Sequence, residues 1–313
     1  MRLVFWGTSS FAVPSLRALV GEGFDVVGVV TQPDRAAGRS RSALVPPPVK
    51  EAATAEELPV LQPEQPSDEQ FLAQLRALEP ELSVVISYGH ILRPSLISLP
   101  TLGTINVHAS LLPELRGAAP IQGAVRQGLA DTGVTIMRMV QALDAGPILL
   151  QTRTPVARDE TAGELEARLS ELGALALVEA LTLMSLGRLT ETPQDEARAT
   201  YAPKIEREMA RIDWSMHADE VARHVRAYDP RPGAFTTHRG GEVKLFGAVS
   251  DDSAPAAART SGEIVSIDAR GMVVACGSGA VVITAAQPAG RNRLDPAEWK
   301  RGRGIDVGER LGA

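Results

Sequence analysis

Short apolar runs alternate with amphipathic stretches through the first half of the chain, and that alternation constrains its fold most. Leu3–Trp6, Asp25–Thr31 with its centre Val26-Val27-Gly28-Val29-Val30, and Leu82–Ser87 read as buried strands. Between them lie helical patterns at about Pro14–Val20, with Leu16, Leu19 and Val20 inward, and near Val49–Leu58. A third runs over Ser67–Leu78, with Phe71, Leu72, Leu75 and Leu78 on one side, Ser67 as N-cap and Gln70 at the capping-box position. A short strand is expected at Val60-Leu61. Strands alternating with helices join through right-handed crossovers, so the fold class is α/β with a mainly parallel sheet. The first turn, Gly7-Thr8-Ser9-Ser10, lacks G-x-G-x-x-G, and no dinucleotide site follows from it.

The pattern continues through a strand at Leu82–Ser87, one at Thr104–His108, a helix at about Ala119–Gln127, a strand at Val134–Val140, a strand and turn over Gly146–Pro155, and a long helix over Thr161–Leu186. Thr161 and Glu164 form its N-cap and capping box. Gly187–Pro203 is polar and reads as a linker. Beyond it the character changes. A short helix at His217–Tyr228 is followed by runs at Gly233–Thr237, Val243–Val249, Gly262–Ile267, Met272–Cys276 and Ala280–Ala285, separated by Gly-containing turns. Five short strands suggest a small barrel of OB type. With 313 residues, two domains are expected: residues 1–188 and 206–313, with a linker at 189–205.

Composition narrows the class. No run of about 18 uncharged apolar residues exists, and the chain passes from Met1 straight into a strand pattern without a leader-like stretch, so a cytoplasmic protein away from the membrane is expected. A monomer is expected separately. The single cysteine, Cys276, sits among Val273, Val274 and Ala275 and reads as a small buried side chain. The five histidines make no metal-ligand spacing with it, and no metal is expected. The net charge of −6 is uneven. Residues 1–200 carry 16 basic and 23 acidic residues, residues 201–313 carry 16 and 15, so the second part is the relatively basic one.

One group of polar residues makes chemical sense as a set. Asn106 and His108 lie two apart on one face of a short strand, at the end that faces the ligand crevice in an open α/β sheet. Asp144, in the turn Ala142-Leu143-Asp144-Ala145-Gly146-Pro147 after the next strand, reaches His108 if the two strands are neighbours. An amide that holds a carbonyl oxygen, an imidazole that donates to it or moves a proton, and a carboxylate that orients the imidazole and takes the proton an attacking amine loses, directly or through water, suit acyl transfer to an amine. Taken alone, the residues equally allow a structural His, a backbone-bonded Asn and a turn-forming Asp. The stretch Gln32–Lys50 holds Arg35, Arg39, Arg41 and Lys50, has no acid between Asp34 and Glu51, and ends in Pro46-Pro47-Pro48. On composition it reads as a solvated connection. Arg291, Arg293, Lys300, Arg301 and Arg303 near the end either line a phosphate-contacting surface or solvate a face.

The segment Asn106-Val107-His108-Ala109-Ser110-Leu111-Leu112-Pro113, continuing to Arg116-Gly117-Ala118-Ala119-Pro120-Ile121-Gln122, closely resembles the signature of folate-dependent formyltransferases. The resemblance extends from Phe5-Trp6-Gly7-Thr8 through Thr31-Gln32-Pro33-Asp34-Arg35 to Gln287-Pro288-Ala289-Gly290, and within the family it is to the methionyl-tRNA formyltransferases. It implies a Rossmann-like catalytic domain followed by a smaller OB-like, tRNA-binding barrel. It implies Asn106, His108 and Asp144 as the catalytic trio, and a folate pocket at Ser87, Tyr88, Gly89, His90, Ser110, Leu111, Leu112 and Pro113. His90 falls outside the trio and is expected to pack or bind locally. The Gln32–Lys50 stretch then becomes a loop that inserts against the tRNA acceptor end through Arg35, Arg39 and Arg41, centred on Arg39. Here it departs from the family, with Ser40-Arg41-Ser42 where further lysines are common. The implied reaction transfers formyl from 10-formyltetrahydrofolate, a consumed cosubstrate, to methionyl-initiator tRNA. Two rivals remain: a formyltransferase acting on a sugar-nucleotide amine, and a non-catalytic RNA-binding protein.

Overall fold

The computed structural model describes residues 1–37, 43–66, 68–251 and 260–312. The chain forms two compact units: one of residues 1–117, 132–154 and 166–201, the other of residues 118–131, 155–165 and 202–313.

The first unit opens with β1 (Arg2–Gly7), α1 (Val13–Gly21) and β2 (Asp25–Val30), then a hairpin of β3 (Arg35–Ala37) and β4 (Ala43–Val45). It continues through α2 (Pro48–Ala55), β5 (Val60–Leu61), α3 (Glu69–Ala77), β6 (Leu82–Ile86), the short α4 (Pro94–Ile97) and β7 (Thr104–His108). After α5 (Pro120–Gln127), which belongs to the second unit, come β8 (Asp131–Arg138), β9 (Ile148–Pro155) and α6 (Ala162–Ser185). The sheet order is β5-β2-β1-β6-β7-β8-β9. The pairs from β5 to β7 are parallel and β7 pairs antiparallel with β8. Strands buried on both faces, such as the wholly buried β6, produce the continuous apolar runs of the sequence.

α3 begins at Glu69 behind Asp68, and the Ser67 cap lies outside the described residues. Thr161 and Glu164 make the expected reciprocal bonds at the start of α6: the Glu164 amide donates to Thr161 Oγ1 at 3.2 Å, and the Thr161 amide donates to Glu164 Oε2 at 2.9 Å. Further along α6, Gly173 lets the helix approach the sheet, since a Cβ there would stand 3.1 Å from a Val107 methyl. One face of the sheet is packed around Trp6, Phe71, Leu75, Val85 and Tyr88. Trp6 is fully buried, meets Phe71 and Tyr88 edge to face, and donates its indole N–H to Ser83 Oγ at 3.1 Å.

The second unit contains α7 (Ala218–Ala227), an antiparallel sheet of β10 (Ala234–His238), β11 (Gly241–Asp251), β12 (Ile264–Asp268), β13 (Gly271–Ala275) and β14 (Ala280–Pro288) in the order β10-β11-β14-β13-β12, and α8 (Pro296–Arg301). Its core gathers Trp214, Val221, Val225, Leu245, Met272, Ile283 and Trp299. Cys276 belongs to this core, and burial pushes its thiol up to about 12. The β3–β4 hairpin and α8 have no counterpart in the expectations: the hairpin strands lie in a stretch whose charge and prolines suggest a connection, and α8 in one whose Lys and Arg suggest a charged surface.

Replacing Trp6 with Ala removes the largest buried side chain of the first unit together with its hydrogen bond. A loss of about 3–5 kcal/mol in the unfolding of that unit is expected, read as a lower denaturant midpoint against the parent protein.

Candidate active site

β7 is threaded between β6 and β8, and Ile105 and Val107 are buried within the sheet. Alternation then turns Thr104, Asn106 and His108 to the other face. The loop after β7 is held by one hydroxyl. Thr135 Oγ1 donates to Ser110 O at 2.6 Å and accepts from the Leu112 amide at 3.1 Å and Gln151 Nε2 at 2.9 Å, which uses its one donor and both acceptor positions. Gln151 also donates to Leu112 O at 2.8 Å, and Ser110 Oγ donates to Glu114 O at 2.6 Å. The Leu112–Pro113 peptide is cis.

This loop brings two backbone groups to the catalytic candidates. Leu115, at φ 59°, presents its carbonyl oxygen 3.0 Å from His108 Nε2. Gly117, at φ 112°, donates its amide to Asp144 Oδ2 at 2.8 Å. His108 is 7% exposed and its Nδ1 lies 3.8 Å from that same Asp144 oxygen. A carbonyl only accepts, so Nε2 carries the ring proton in the neutral form and Nδ1 holds the lone pair. A neutral ring therefore turns its basic nitrogen toward a carboxylate, and protonation there converts the contact into an attractive one.

Asp144 reaches this position through a tight turn after β8. It is itself left-handed, at φ 48°, and Gly146 packs so closely that a Cβ would stand 1.8 Å from Arg138 O. Positive φ at Ser87, Leu115 and Asp144 concentrates backbone strain at strand ends around these residues. The structure thus brings His108 and Asp144 together, with Asn106 two residues from His108 on the same strand and half-buried.

The expected folate residues divide into two groups. At the end of β6, Ser87 and His90 are exposed, and Gly89, at φ 91°, faces open space where a Cβ would be. His90 Nε2 pairs with Gln32 Oε1 at 3.0 Å. Tyr88 is 2% exposed, and burial pushes its phenol up to about 12. Its hydroxyl, like Thr31 Oγ1 and Gln32 Nε2, is a buried polar atom that finds no hydrogen-bond partner among the described residues. In the second group Ser110, Leu112 and Pro113 are buried and Leu111 half-buried, so this segment shapes the loop more than it exposes side chains.

Of the basic stretch, Arg35 is exposed on the hairpin, while Arg39 and Arg41 lie outside the described residues. Lys50 is engaged, 2.7 Å from Asp34 Oδ2; hydrogen bonds from Gln62 and Lys50 hold the Asp34 carboxyl below its ordinary range. In the second unit Arg293 pairs with buried Asp229 at 3.3 Å over the Phe246 ring, and Lys300 pairs with Asp306 at 3.2 Å. Arg291, Arg301 and Arg303 are exposed. Among the described residues no group of three or more His, Cys, Asp and Glu is arranged to hold a metal ion. Among them, too, no helix is long and apolar enough to cross a membrane.

Sequence reasoning missed the Leu115 carbonyl, the Gly117 amide, Arg116 and Gln194. The backbone groups carry no side-chain signal, and Gln194 lay in a stretch whose polarity suggested a linker.

The family model of the formyl transferases matches residues 1–181, and that of their C-terminal domain matches residues 204–304. The chain is 45% identical over 312 residues to the methionyl-tRNA formyltransferase of Moorella thermoacetica, covering 100% of this chain and 99% of that one. It is 46% identical over 314 residues to that of Geobacillus thermodenitrificans, covering 99% and 97%. The chain belongs to the methionyl-tRNA formyltransferases of the formyl transferase family. The fold is also that of HypX from Aquifex aeolicus in a crystal structure with tetrahydrofolic acid, at TM-score 0.66 and 21% identity over 95% of this chain. This chain spans about half of HypX, 46% of its length.

Because backbone blocks any Cβ at residue 146, Gly146→Ala displaces the Asp144 turn. A cost of about 1–3 kcal/mol and a loss of formyl transfer larger than that destabilisation explains are expected, from thermal melts and kinetics run on the same preparation.

Proposed function

We propose that this chain transfers the formyl group of 10-formyltetrahydrofolate to the α-amino group of methionyl-initiator tRNA, giving formylmethionyl-tRNA for translation initiation. The observation that carries the reading is the His108–Asp144 pair beside Asn106, in a chain 45% identical over its whole length to a methionyl-tRNA formyltransferase. The relatives' names weigh against a sugar-nucleotide amine as acceptor, and a binding protein without activity has no use for the trio.

The reaction joins the amine nitrogen to the formyl carbon and breaks the bond from that carbon to N10 of the folate. The amine loses a proton and N10 gains one. The folate supplies the activated formyl group. The strand end at Ser87–His90, with the side chains of Ser87 and His90 exposed and an open Gly89, fits a flat ring system. Ser110–Pro113 form the wall that sets the neighbouring loop.

Asn106 donates to the formyl oxygen as negative charge gathers on it. Two roles were open to His108, donating to that oxygen or moving a proton. The bond from Nε2 to Leu115 O supports the second, because it leaves Nδ1 as the basic nitrogen. Asp144 then stabilises the imidazolium that forms and assists removal of the amine proton, while the Leu115 carbonyl keeps the neutral ring in its tautomer. Positioning of two large reactants contributes alongside this proton transfer.

In this reading residues 1–188 form the catalytic domain and residues 206–313 an OB-like, tRNA-binding domain, with 189–205 between them. The five-stranded antiparallel sheet and the exposed Arg291, Arg301 and Arg303 support the second assignment. Arg35, Arg39 and Arg41 contact the acceptor end of the tRNA. The enzyme works in the cytoplasm, where its tRNA substrate is used, and as a monomer.

Formyl transfer to methionyl-initiator tRNA, measured beside UDP-aminoarabinose and uncharged tRNA, tests the whole reading; selective formylation of the charged tRNA is expected. His108→Ala should lower turnover at least ~100-fold with the melting temperature nearly unchanged. Turnover close to the parent's would remove His108 from the mechanism. Arg39→Ala should raise the KM for charged tRNA and leave the KM for folate alone, so unchanged tRNA kinetics would end that assignment.

A further inference from the structure

Gln194 lies between the stretches matched by the two family models, in a polar segment whose composition suggests a linker. In the structure this segment belongs to the first unit, and the Gln194 side chain reaches back to the Asp144 turn. Its Nε2 donates to Asp144 O at 2.8 Å and to Gly146 O at 2.7 Å. Its Oε1 accepts from Arg116 Nε at 3.1 Å and Nη2 at 2.7 Å. The amide's orientation is decided by chemistry: the guanidinium has only donors and the two carbonyls only accept.

Arg116 is 2% exposed and also forms a two-pronged bond with Glu196, at 2.9 and 2.7 Å. It stands between Leu115, whose carbonyl accepts a hydrogen bond from His108 Nε2, and Gly117, whose amide donates to the Asp144 carboxylate. One end of the network therefore fixes the loop that orients His108. The other end holds the carbonyl of Asp144 itself and that of Gly146 two residues on, at a turn that the positive φ of Asp144 makes costly to maintain unaided.

We infer that Gln194 is a positioning residue for formyl transfer: through Arg116 and the carbonyls of Asp144 and Gly146 it sets the distance between the Asp144 carboxylate and His108. The inference rests on the proposed reaction, in which Asp144 acts on His108. Gln194 touches neither substrate in this role, so its loss should appear in turnover and not in either KM.

The experiment compares the parent protein, Gln194→Ala, Asp144→Asn and the double variant for kcat and both KM values. Gln194→Glu is added because it retains the pairing with Arg116 while setting a carboxylate against the two carbonyls. Gln194→Ala and Gln194→Glu are each expected to lower kcat at least ~10-fold with KM values within about twofold, since a small displacement of a catalytic group is costly. In the Asp144→Asn background the Gln194→Ala change should add almost nothing. Amide hydrogen exchange at Gly117, whose N–H is bound to Asp144, should quicken in Gln194→Ala; this readout does not depend on formyl transfer. A Gln194→Ala kcat within twofold of the parent, independent multiplication of the two losses, or unchanged Gly117 exchange overturns the inference. If the parent itself transfers no formyl group the proposed reaction fails, and the exchange measurement still decides whether Gln194 holds the Asp144 turn.

Discussion

The hydrogen bond from the Gly117 amide to Asp144 joins two loops that the chain separates by a helix and a strand. Its acceptor is the same carboxylate oxygen that faces His108 Nδ1, and the neighbouring Leu115 carbonyl takes the other ring nitrogen. One turn of backbone, Leu115 to Gly117, thus sets both partners of the pair. Elements further away serve to keep this turn in place: Thr135 saturates the loop after β7, and Arg116 anchors the turn from beneath. A charge-bearing bond to a backbone amide is stronger than a neutral one and places the carboxylate more sharply than a flexible side chain could.

The sheet supplies the geometry that makes such a turn useful. Parallel strands β1, β6 and β7 end on the same side, and the polar ends of their loops collect there. The reversal at β8 matters as much. Since β8 runs antiparallel to β7, it carries the chain away from this end and a further turn has to place Asp144 against His108. That turn is tight, with Asp144 in the left-handed region and Gly146 against the Arg138 carbonyl, and residues from a distant segment hold it.

Much of this was legible from residue patterns. The apolar runs of β1, β2 and β6, the spacing of Asn106 and His108, and the Thr161–Glu164 cap on α6 all rest on interactions over a few residues, which leave a local trace. The basic stretch after Gln32 was visible in composition, but composition did not separate Lys50, committed to Asp34, from Arg35, which is free to meet solvent. Arg293 behaves likewise: it looked like one of a group of surface cations and proves to be stacked on Phe246 and paired with Asp229. Charge counts do not tell which cations already have partners.

By itself, then, the sequence determined the alternation of strands and helices, the residue types at the strand end and the change to short antiparallel strands in the second half, because period and turn chemistry are local. It also carried the family signature. The tertiary structure alone decided that β8 reverses, that His108 bonds a carbonyl seven residues on, and that Arg116 and Gln194 support the Asp144 turn. Gln194 and Asp144 are fifty residues apart, and hydrogen bonds across such a distance depend on where the chain returns. No pattern within either segment records that return.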